Sequence, residues 1–210
     1  MIRSQIANFK AQILILLFLC VTGIAKAQSG YEIGDLAKDF NLKNVDEKMV
    51  SLASYNDAKG FIVVFTCNHC PYAKAYENRI MALDAKYSSK GFPVIAINPN
   101  DEKAYPEDSF ENMKKRSLDK KYSFPYLLDE NQQIAKAYGA KATPHVYVLN
   151  KTNKGLEVSY IGAIDNDTED INEGKIKYVA IAVDALISGK KPQITQTKAI
   201  GCSIKWKNAE

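Results

Sequence analysis

A strand–helix–strand pattern restricts the possible folds of this chain more than any other feature. Residues 61–65 (Phe-Ile-Val-Val-Phe) form an uninterrupted apolar run, which is typical of a strand buried on both faces. Apolar residues then recur every three or four positions through residues 72–87, as on one face of a helix, and residues 93–97 form a second apolar run. Buried strands that alternate with helices predict an α/β sheet.

The sequence on both sides of this unit predicts further strands. Residues 40–42 and 49–52 flank a polar turn and predict a hairpin. Residues 146–149 and 158–161 predict two strands close enough in sequence to pair antiparallel, so we expect a mixed sheet with helices on both faces. A short strand is predicted at residues 124–128, and further helices at residues 106–118, 131–138 and 176–187.

Charge and composition exclude several classes of function. The chain has 210 residues, 46% of them hydrophobic and 25% charged, as in an ordinary globular domain. The net charge is +4, but three of the cations lie in residues 1–27. Residues 28–210 hold 25 basic and 24 acidic residues. This near-neutral body gives no electrostatic basis for nucleic-acid binding. The sequence contains no Gly-rich phosphate loop, so we expect no organic cofactor.

Residues 1–27 resemble a secretory signal peptide. Arg3 and Lys10 precede an apolar run at residues 13–21, and Ala25 and Ala27 place small residues before a predicted cleavage after Ala27. The run is shorter than the ~20 residues that span a bilayer, so we expect no stable membrane insertion after cleavage. The predicted location is periplasmic or secreted, where disulfides form and persist. The predicted divisions are a signal peptide at 1–27, a domain at 28–189 and a tail at 190–210 that packs on or near it.

Two cysteines stand at the junction between the first buried strand and the long helix. In Cys67-Asn68-His69-Cys70, the amino end of the helix would stabilise a thiolate on an exposed Cys67, and the more buried Cys70 could resolve a mixed disulfide. His69 could donate a hydrogen bond or a positive charge to the thiolate and make the pair more oxidising. A structural disulfide and a zinc site are the alternatives, but zinc would need two further ligands. We expect no metal.

These cysteines, followed some 75 residues later by Thr143-Pro144 before another strand, resemble the thioredoxin superfamily. The similarity spans residues 31–189 and is strongest to the exported TlpA/ResA-like and AhpC/TSA (redoxin) branches, which have an N-terminal hairpin and an inserted segment. The resemblance implies a thioredoxin-like fold and a cis peptide bond before Pro144. It also implies that the Thr143 backbone faces an incoming peptide or thiol, and we assign Asn68 to substrate binding with Thr143 and Pro144.

The sequence departs from the family pattern at several positions. Thr66 stands where thioredoxins usually have tryptophan, and Phe61 stands near the position of their buried acid; Glu77 is a candidate substitute but reads as an ordinary helix carboxylate. Peroxiredoxins carry proline and threonine seven and three residues before the peroxidatic cysteine. Gly60 and Val64 occupy those positions before Cys67, so peroxidase activity is a less favoured alternative.

Cys202 and His145 leave two further possibilities. Cys202 could be a third redox thiol, an intermolecular link or an inert residue. His145 follows the predicted cis-proline and, with Cys67 and Cys70, could bind copper as in Sco-like metallochaperones, although a strand histidine with no such role is the simpler reading.

We therefore interpret the chain as an exported thiol–disulfide oxidoreductase. Cys67 and Cys70 would exchange a disulfide with protein or small-molecule thiols, and an upstream redox partner would regenerate the pair. His69 favours an oxidising pair, whereas the resemblance to TlpA/ResA favours a reducing one. A thiol-dependent peroxidase and a copper-binding metallochaperone are the alternatives.

Overall fold

The computed structural model describes residues 30–207, and the predicted signal peptide lies outside this range. Among these residues, no helix combines the length and the apolar composition that crossing a bilayer requires. Four α-helices are described: α1 (Pro71–Tyr87), α2 (Phe110–Lys120), α3 (Gln133–Tyr138) and α4 (Tyr178–Ile187). The strands described are β1 (Leu36–Ala37), β2 (Asn41–Asn44), β3 (Met49–Ser51), β4 (Gly60–Phe65), β5 (Val94–Asn98), β6 (Tyr126–Leu128), β7 (Ala142–Thr143), β8 (His145–Thr152), β9 (Gly155–Gly162) and β10 (Cys202–Ser203).

Eight of these strands form one mixed sheet, in the order β1-β9-β8-β4-β5-β6-β2-β3. Strands β4, β5 and β6 are parallel neighbours, whereas β8 lies antiparallel to both β4 and β9. The hairpin β2–β3 extends the sheet at one edge by pairing β2 with β6. The predicted mixed α/β sheet is thus confirmed.

Alternate side chains of the central strands supply two apolar layers. Ile62 and Val64 point to the face covered by α1, α2 and α4, and Phe61, Val63 and Phe65 point to the face that carries α3. Because both faces are covered, all six residues of β4 are buried, as the continuous apolar run predicted.

The helix predicted at residues 106–118 begins four residues later than expected, whereas those predicted at 131–138 and 176–187 each begin two residues late. Proline 106 was expected to open a helix at residues 106–118, but Pro106–Asp108 is a single 3-10 turn and α2 begins at Phe110. The backbone of Ser109 is extended (φ −58°, ψ 154°) and separates the two segments. This interruption places Asp108 at a turn, where its side chain can point inward.

The C-terminal tail runs back across the molecule and pairs with a short strand. Thr197 donates a backbone hydrogen bond to Ile161 O (2.9 Å), and Ile161 in turn donates to Thr195 O (2.9 Å). Further on, β10 pairs antiparallel with β7, and the side chain of Ile204 is buried in the layer that contains α3. The tail therefore reaches the end of the sheet where the Cys67–Cys70 motif lies.

Candidate active site

The cysteine motif occupies the connection between the carboxyl end of β4 and the start of α1. Cys70 is the residue that caps α1, and Pro71 is its first helical residue, a position where the missing N–H costs nothing. Thr66 is held in place by donating its backbone N–H to Ile97 O (2.9 Å) on the neighbouring strand β5. The end of a central strand and the start of a helix thus fix the positions of both cysteines. In open α/β sheets, ligands often bind at this edge of the sheet.

Cys67 is a free thiol, but it is not the exposed residue that the sequence predicted. Only 3% of Cys67 is exposed, and its Sγ lies 3.2 Å from Thr143 Oγ1. Burial, and to a smaller extent the Asp108 carboxylate, raise the pKa of the Cys67 thiol to about 11. The Thr143 hydroxyl and the backbone N–H groups of Cys70 and His69 act in the opposite direction. The expectation of an exposed, thiolate-favouring Cys67 is therefore wrong for this state, since the surrounding groups exclude water.

Cys70 forms a disulfide with Cys202 rather than with Cys67. The two Cα atoms are 6.2 Å apart, within the ordinary range for a disulfide, and 132 positions separate the residues in sequence. Cys70 is fully buried, and its Sγ lies 3.2 Å from the carbonyl oxygen of Thr143. The Cys67–Cys70 disulfide expected from the sequence is absent in this state, because the tail brings a competing sulfur to Cys70.

Asp108 links the cysteine motif to the inserted segment. Its Oδ1 accepts hydrogen bonds from the backbone N–H groups of Asn68 (2.7 Å) and His69 (3.1 Å), and its Oδ2 accepts one from Asn100 Nδ2 (2.7 Å). The same Oδ2 lies 2.5 Å from His69 Nδ1. Asp108 is completely buried, so it acts as an anchor for the loop between the two cysteines. No local sequence pattern marks this role of Asp108, since it lies some forty positions from the cysteine motif.

The side chains of His69 and Asn68 are both engaged by the protein. The imidazole of His69 stacks on Tyr105 with ring centroids 4.3 Å apart, in addition to its contact with Asp108. Asn68 donates from Nδ2 to Glu107 O (2.9 Å) and accepts at Oδ1 from the Tyr126 hydroxyl (3.0 Å). Asn68 is buried, and in this state the protein engages both polar atoms of its side chain.

Thr143 and Pro144 lie beside both cysteines, and the tail covers them. The Thr143–Pro144 peptide bond is cis, as the resemblance implied. In the β7–β10 pairing, Cys202 lies opposite Thr143 and Ser203 opposite Ala142. The strand position next to the cis-proline, which the resemblance assigns to an incoming peptide, is thus occupied by the chain's own tail.

The predicted copper ligands do not come together in this state. His145 is buried, its Nδ1 accepts a hydrogen bond from the backbone N–H of Lys141 (3.3 Å), and burial lowers its pKa to about 4. The sulfur of Cys70 is committed to the disulfide. Within residues 30–207, the potential metal ligands that converge are instead Cys67, His69 and Asp108, whose ligand atoms lie within 4.8 Å of one another.

Comparison with known proteins gives the family of the chain. Residues 33–154 match the model of the AhpC/TSA family. The chain belongs to the AhpC/TSA family.

Curated relatives narrow this assignment. The thiol-disulfide oxidoreductase ResA of Oceanobacillus iheyensis is 28% identical over 182 residues, covering 82% of this chain and 88% of ResA. Because the ResA enzymes of several bacteria match more than half of this chain, the protein is an enzyme of the thiol–disulfide oxidoreductase class.

Two solved structures support the same fold. An uncharacterised conserved protein from Geobacillus kaustophilus is 38% identical, with a TM-score of 0.78 over 86% of this chain and 95% of that one. A thiol:disulfide interchange protein of the thioredoxin family from Chlorobium tepidum has a TM-score of 0.52 at 20% identity, covering 67% of this chain and 93% of that one. The structures confirm the predicted thioredoxin-like fold. The AhpC/TSA family match and the ResA relatives, together with this fold, place the chain in the redoxin branch of the thioredoxin superfamily.

Glu77, the candidate substitute for the buried acid of thioredoxins, does not take that place in the structure. The Glu77 carboxylate accepts hydrogen bonds from Arg116 Nε (2.7 Å) and the Tyr122 hydroxyl (2.5 Å), and Lys120 Nζ lies 3.1 Å away. These contacts join α1 to α2, and none involves a cysteine. Glu77 is a structural carboxylate, as its helical position indicated, and Asp108 is the acid beside the thiols.

Proposed function

We propose that this oxidoreductase is exported and that Cys67 is the thiol that attacks substrate disulfides, with Cys70 as the resolving thiol. The observation that carries the proposal is the convergence of Cys67, Cys70 and Cys202 beside Thr143 and the cis-proline Pro144. Sulfurs that lie together at the carboxyl end of a central strand are suited to exchange between disulfide partners. Protein or small-molecule disulfides and dithiols are the proposed substrates.

The exchange needs both cysteines of the motif in the reduced state. The Cys67 thiolate attacks one sulfur of a substrate disulfide, a Cys67–substrate bond forms, and the other substrate thiolate leaves. The Cys70 thiolate then attacks Cys67 Sγ, the Cys67–Cys70 bond forms, and the second substrate thiolate leaves. The substrate gains two electrons and the motif loses two, so a dithiol redox partner must return them. With the reverse sequence, the oxidised motif oxidises a substrate dithiol.

His69 and Thr143 influence the pKa of Cys67 and so the fraction of it that is a thiolate. The Thr143 hydroxyl can donate to Cys67 Sγ, and the N–H groups of His69 and Cys70 lower the pKa of Cys67. Asp108 opposes them, and its contact with His69 Nδ1 offsets part of its negative charge when the imidazole is protonated. We propose His69 as a positioning residue that tunes the potential through Asp108 and Tyr105.

Trapping of the mixed disulfide tests these roles. In reduced protein with Cys70→Ser and Cys202→Ala, we expect one glutathionyl group from oxidised glutathione to accumulate on Cys67 as a mixed disulfide, with one reduced glutathione released, read by mass spectrometry. Cys67→Ser should form no adduct at the motif, and the exposed Ser54→Ala is the matched control that leaves the reaction unchanged. An adduct that forms equally well without Cys67 contradicts the proposed nucleophile.

Export is proposed from residues 1–27 and from the chemistry of the site. A disulfide between Cys70 and Cys202 is of the kind that persists outside the cytosol. Cell fractionation and N-terminal sequencing test the proposal: the protein should be found in the extracytoplasmic fraction with Gln28 as its first residue. A cytosolic protein that retains Met1 contradicts it.

A further inference from the structure

We propose that Cys202 is a third catalytic cysteine, which takes the disulfide over from the Cys67–Cys70 pair by docking on β7 in the manner of a substrate strand. This inference rests on the proposed function of Cys67 and Cys70. It assigns to the tail the role of an internal disulfide acceptor.

The first observation is the register of the tail. Strand β10 is antiparallel to β7, and Cys202 lies directly opposite Thr143, the residue before the cis-proline. Thr143 in turn lies 3.2 Å from both motif sulfurs, through its Oγ1 to Cys67 and its carbonyl oxygen to Cys70. The backbone pairing therefore delivers Cys202 to the place where a substrate sulfur must stand to exchange with the motif.

The second observation is that Gly201 permits this close approach. A Cβ atom at residue 201 would lie 2.4 Å from Thr143 O and 2.9 Å from Pro144 N, and both of these are backbone atoms that cannot move aside alone. A side chain at this position would therefore push the tail away from β7. Gly201 places Cys202 without taking part in the chemistry itself.

The third observation is that the tail is held on both sides of Cys202. Upstream, Thr197 donates to Ile161 O (2.9 Å). Downstream, the backbone of Lys205 donates to Asn100 Oδ1 (2.9 Å), and its carbonyl oxygen accepts from Gln132 Nε2 (2.9 Å). Anchors on both sides keep Cys202 at a high effective concentration near Cys70 and make its attack an intramolecular step.

The fourth observation is the state of the three sulfurs. Cys70 is bonded to Cys202, and Cys67, next to Cys70 in the same buried cluster, is a free thiol. This is the state reached when the Cys202 thiolate attacks Cys70 Sγ of a Cys67–Cys70 disulfide. The Cys70–Cys202 bond forms, the Cys67–Cys70 bond breaks, and Cys67 leaves as a thiolate that takes up a proton. The step transfers the disulfide within the chain without net oxidation or reduction.

Return to the dithiol state requires an external dithiol reductant, and Cys202 is where it would react. Cys202 is partly exposed, whereas Cys70 is fully buried. A thiolate of the reductant attacks Cys202 Sγ, and Cys70 leaves as a thiolate. The second thiol of the reductant then attacks the mixed disulfide, which releases the Cys202 thiolate and leaves the reductant as a disulfide, having lost two electrons. The tail thereby separates the thiol that meets substrate from the sulfur that meets the reductant.

Timed trapping of the oxidation products tests the transfer. Fully reduced protein receives one equivalent of oxidised glutathione, is quenched with acid and alkylated, and its disulfides are located by peptide mapping, which reads Cys20 separately from the three site cysteines. In the wild-type protein we expect Cys67–Cys70 first and Cys70–Cys202, with alkylated Cys67, at the end. In Cys202→Ala the reaction should stop at Cys67–Cys70.

Gly201→Ala keeps all three thiols but displaces Cys202 from β7. It therefore tests whether the docked position of Cys202 sets the rate of transfer. We expect its conversion of Cys67–Cys70 into Cys70–Cys202 to slow by about 100-fold, the order of effect that a small displacement of a reacting group produces, with formation of Cys67–Cys70 unchanged. Lys198→Ala, an exposed tail residue three positions upstream, is the control and should behave as the wild type.

Two results would overturn the transfer. One is a wild-type end product with Cys67–Cys70 bonded and Cys202 free. The other is Cys70–Cys202 formation in Cys67→Ala at the wild-type rate, which would make the bond a structural disulfide formed without the motif. If Cys202→Ala forms no Cys67–Cys70 disulfide, the proposed function itself fails. If Cys202→Ala forms the Cys67–Cys70 disulfide and the wild type also stops at that disulfide, only the transfer fails.

Discussion

At the scale of single residues, Asp108 determines much of the chemistry at Cys67. It is completely buried and receives two backbone N–H groups from the loop between the motif cysteines. Its negative charge raises the pKa of Cys67 on top of the larger effect of burial. Asp108 therefore both builds the loop and disfavours its thiolate while the tail is docked.

Replacing Asp108 with asparagine should lower the pKa of Cys67. In oxidised wild-type protein the pKa of Cys67 is raised to about 11, so alkylation of Cys67 should increase with pH up to that region. Asp108→Asn removes the charge but keeps the oxygen that accepts the N–H groups, and each unit of lowered pKa gives about a tenfold larger thiolate fraction at pH 8. The midpoint of a pH series, followed by mass spectrometry of the Cys67 peptide, measures the shift.

The exposed neighbour Glu107 provides the matched control for this measurement. Glu107→Gln removes one carboxylate next in sequence, but water screens that charge. It should leave the midpoint at Cys67 unchanged. A midpoint that does not move in Asp108→Asn, or moves equally in both variants, contradicts the local role of Asp108.

His145 should make the stability of the protein depend on pH. Burial lowers the pKa of His145 to about 4 in the folded protein, whereas an unfolded histidine has a pKa near ~6.5. The unfolded state therefore binds more protons between these values, and stability falls as pH drops from about 6.5 to 4, by about 3 kcal/mol in full. His145→Gln should remove this part of the pH dependence in urea unfolding at pH 7 and pH 4.5. An equal loss in both proteins would assign it to other groups.

The sequence identified some site residues and missed others for a physical reason. Cys67, His69 and Cys70 are contiguous, and the strand and helix around them have strong patterns, so their place was predictable. Asp108 reaches the site only because α2 begins at Phe110 and leaves a turn before it. The burial of Cys67 depends on Thr143 and on the tail, which are distant in sequence, so its exposure was predicted wrongly.

At the scale of elements, α1 and α2 are joined by one buried carboxylate. Glu77 on α1 contacts Arg116 and Lys120 of α2, together with the Tyr122 hydroxyl. Burial alone would raise the pKa of Glu77, but these donors and charges together hold it below its usual value. The inserted helix α2 is thereby tied to the helix that begins at the active site.

Removing this carboxylate should loosen the connection between the two helices. We expect Glu77→Gln to lower the free energy of unfolding by about 2 kcal/mol at pH 7, since hydrogen bonds to a buried charged group are lost. Because the folded pKa is lowered, the stabilisation is present above the unfolded pKa of about 4.3 and disappears as pH falls below it. Urea unfolding at pH 7 and pH 3.5 measures both effects. Glu111→Gln, on an exposed part of α2, should show neither.

The elements that the sequence missed are those too short to carry a pattern. Strands β4 and β5 were predicted from short apolar runs rich in β-branched residues, and helix α1 from a helical period sustained over four turns. Strands β7 and β10 have two residues each, and their pairing joins segments some sixty positions apart. No local feature of Ala142 or Ser203 could indicate such a pairing, since its stability comes from the tertiary contacts around it.

At the scale of the whole molecule, one disulfide ties the last residues of the chain to the start of α1. The 132 positions between Cys70 and Cys202 include all four helices and four of the eight strands of the large sheet. A cross-link that closes so long a loop removes much conformational freedom from the unfolded chain, whereas the four-residue loop of a Cys67–Cys70 disulfide removes little. The two disulfides therefore have different consequences for the stability of the fold.

The oxidised protein should unfold at higher denaturant than the reduced one. Loop-closure entropy for a loop of this length corresponds to about 5 kcal/mol, as an upper figure because residual structure in the unfolded state reduces it. Guanidinium unfolding without reductant should show this difference between wild-type protein and Cys202→Ala. Adding a reductant should bring the two proteins together. An oxidised wild type no more stable than Cys202→Ala would show that the tail is tied equally well without the bond, and that the disulfide acts in exchange alone.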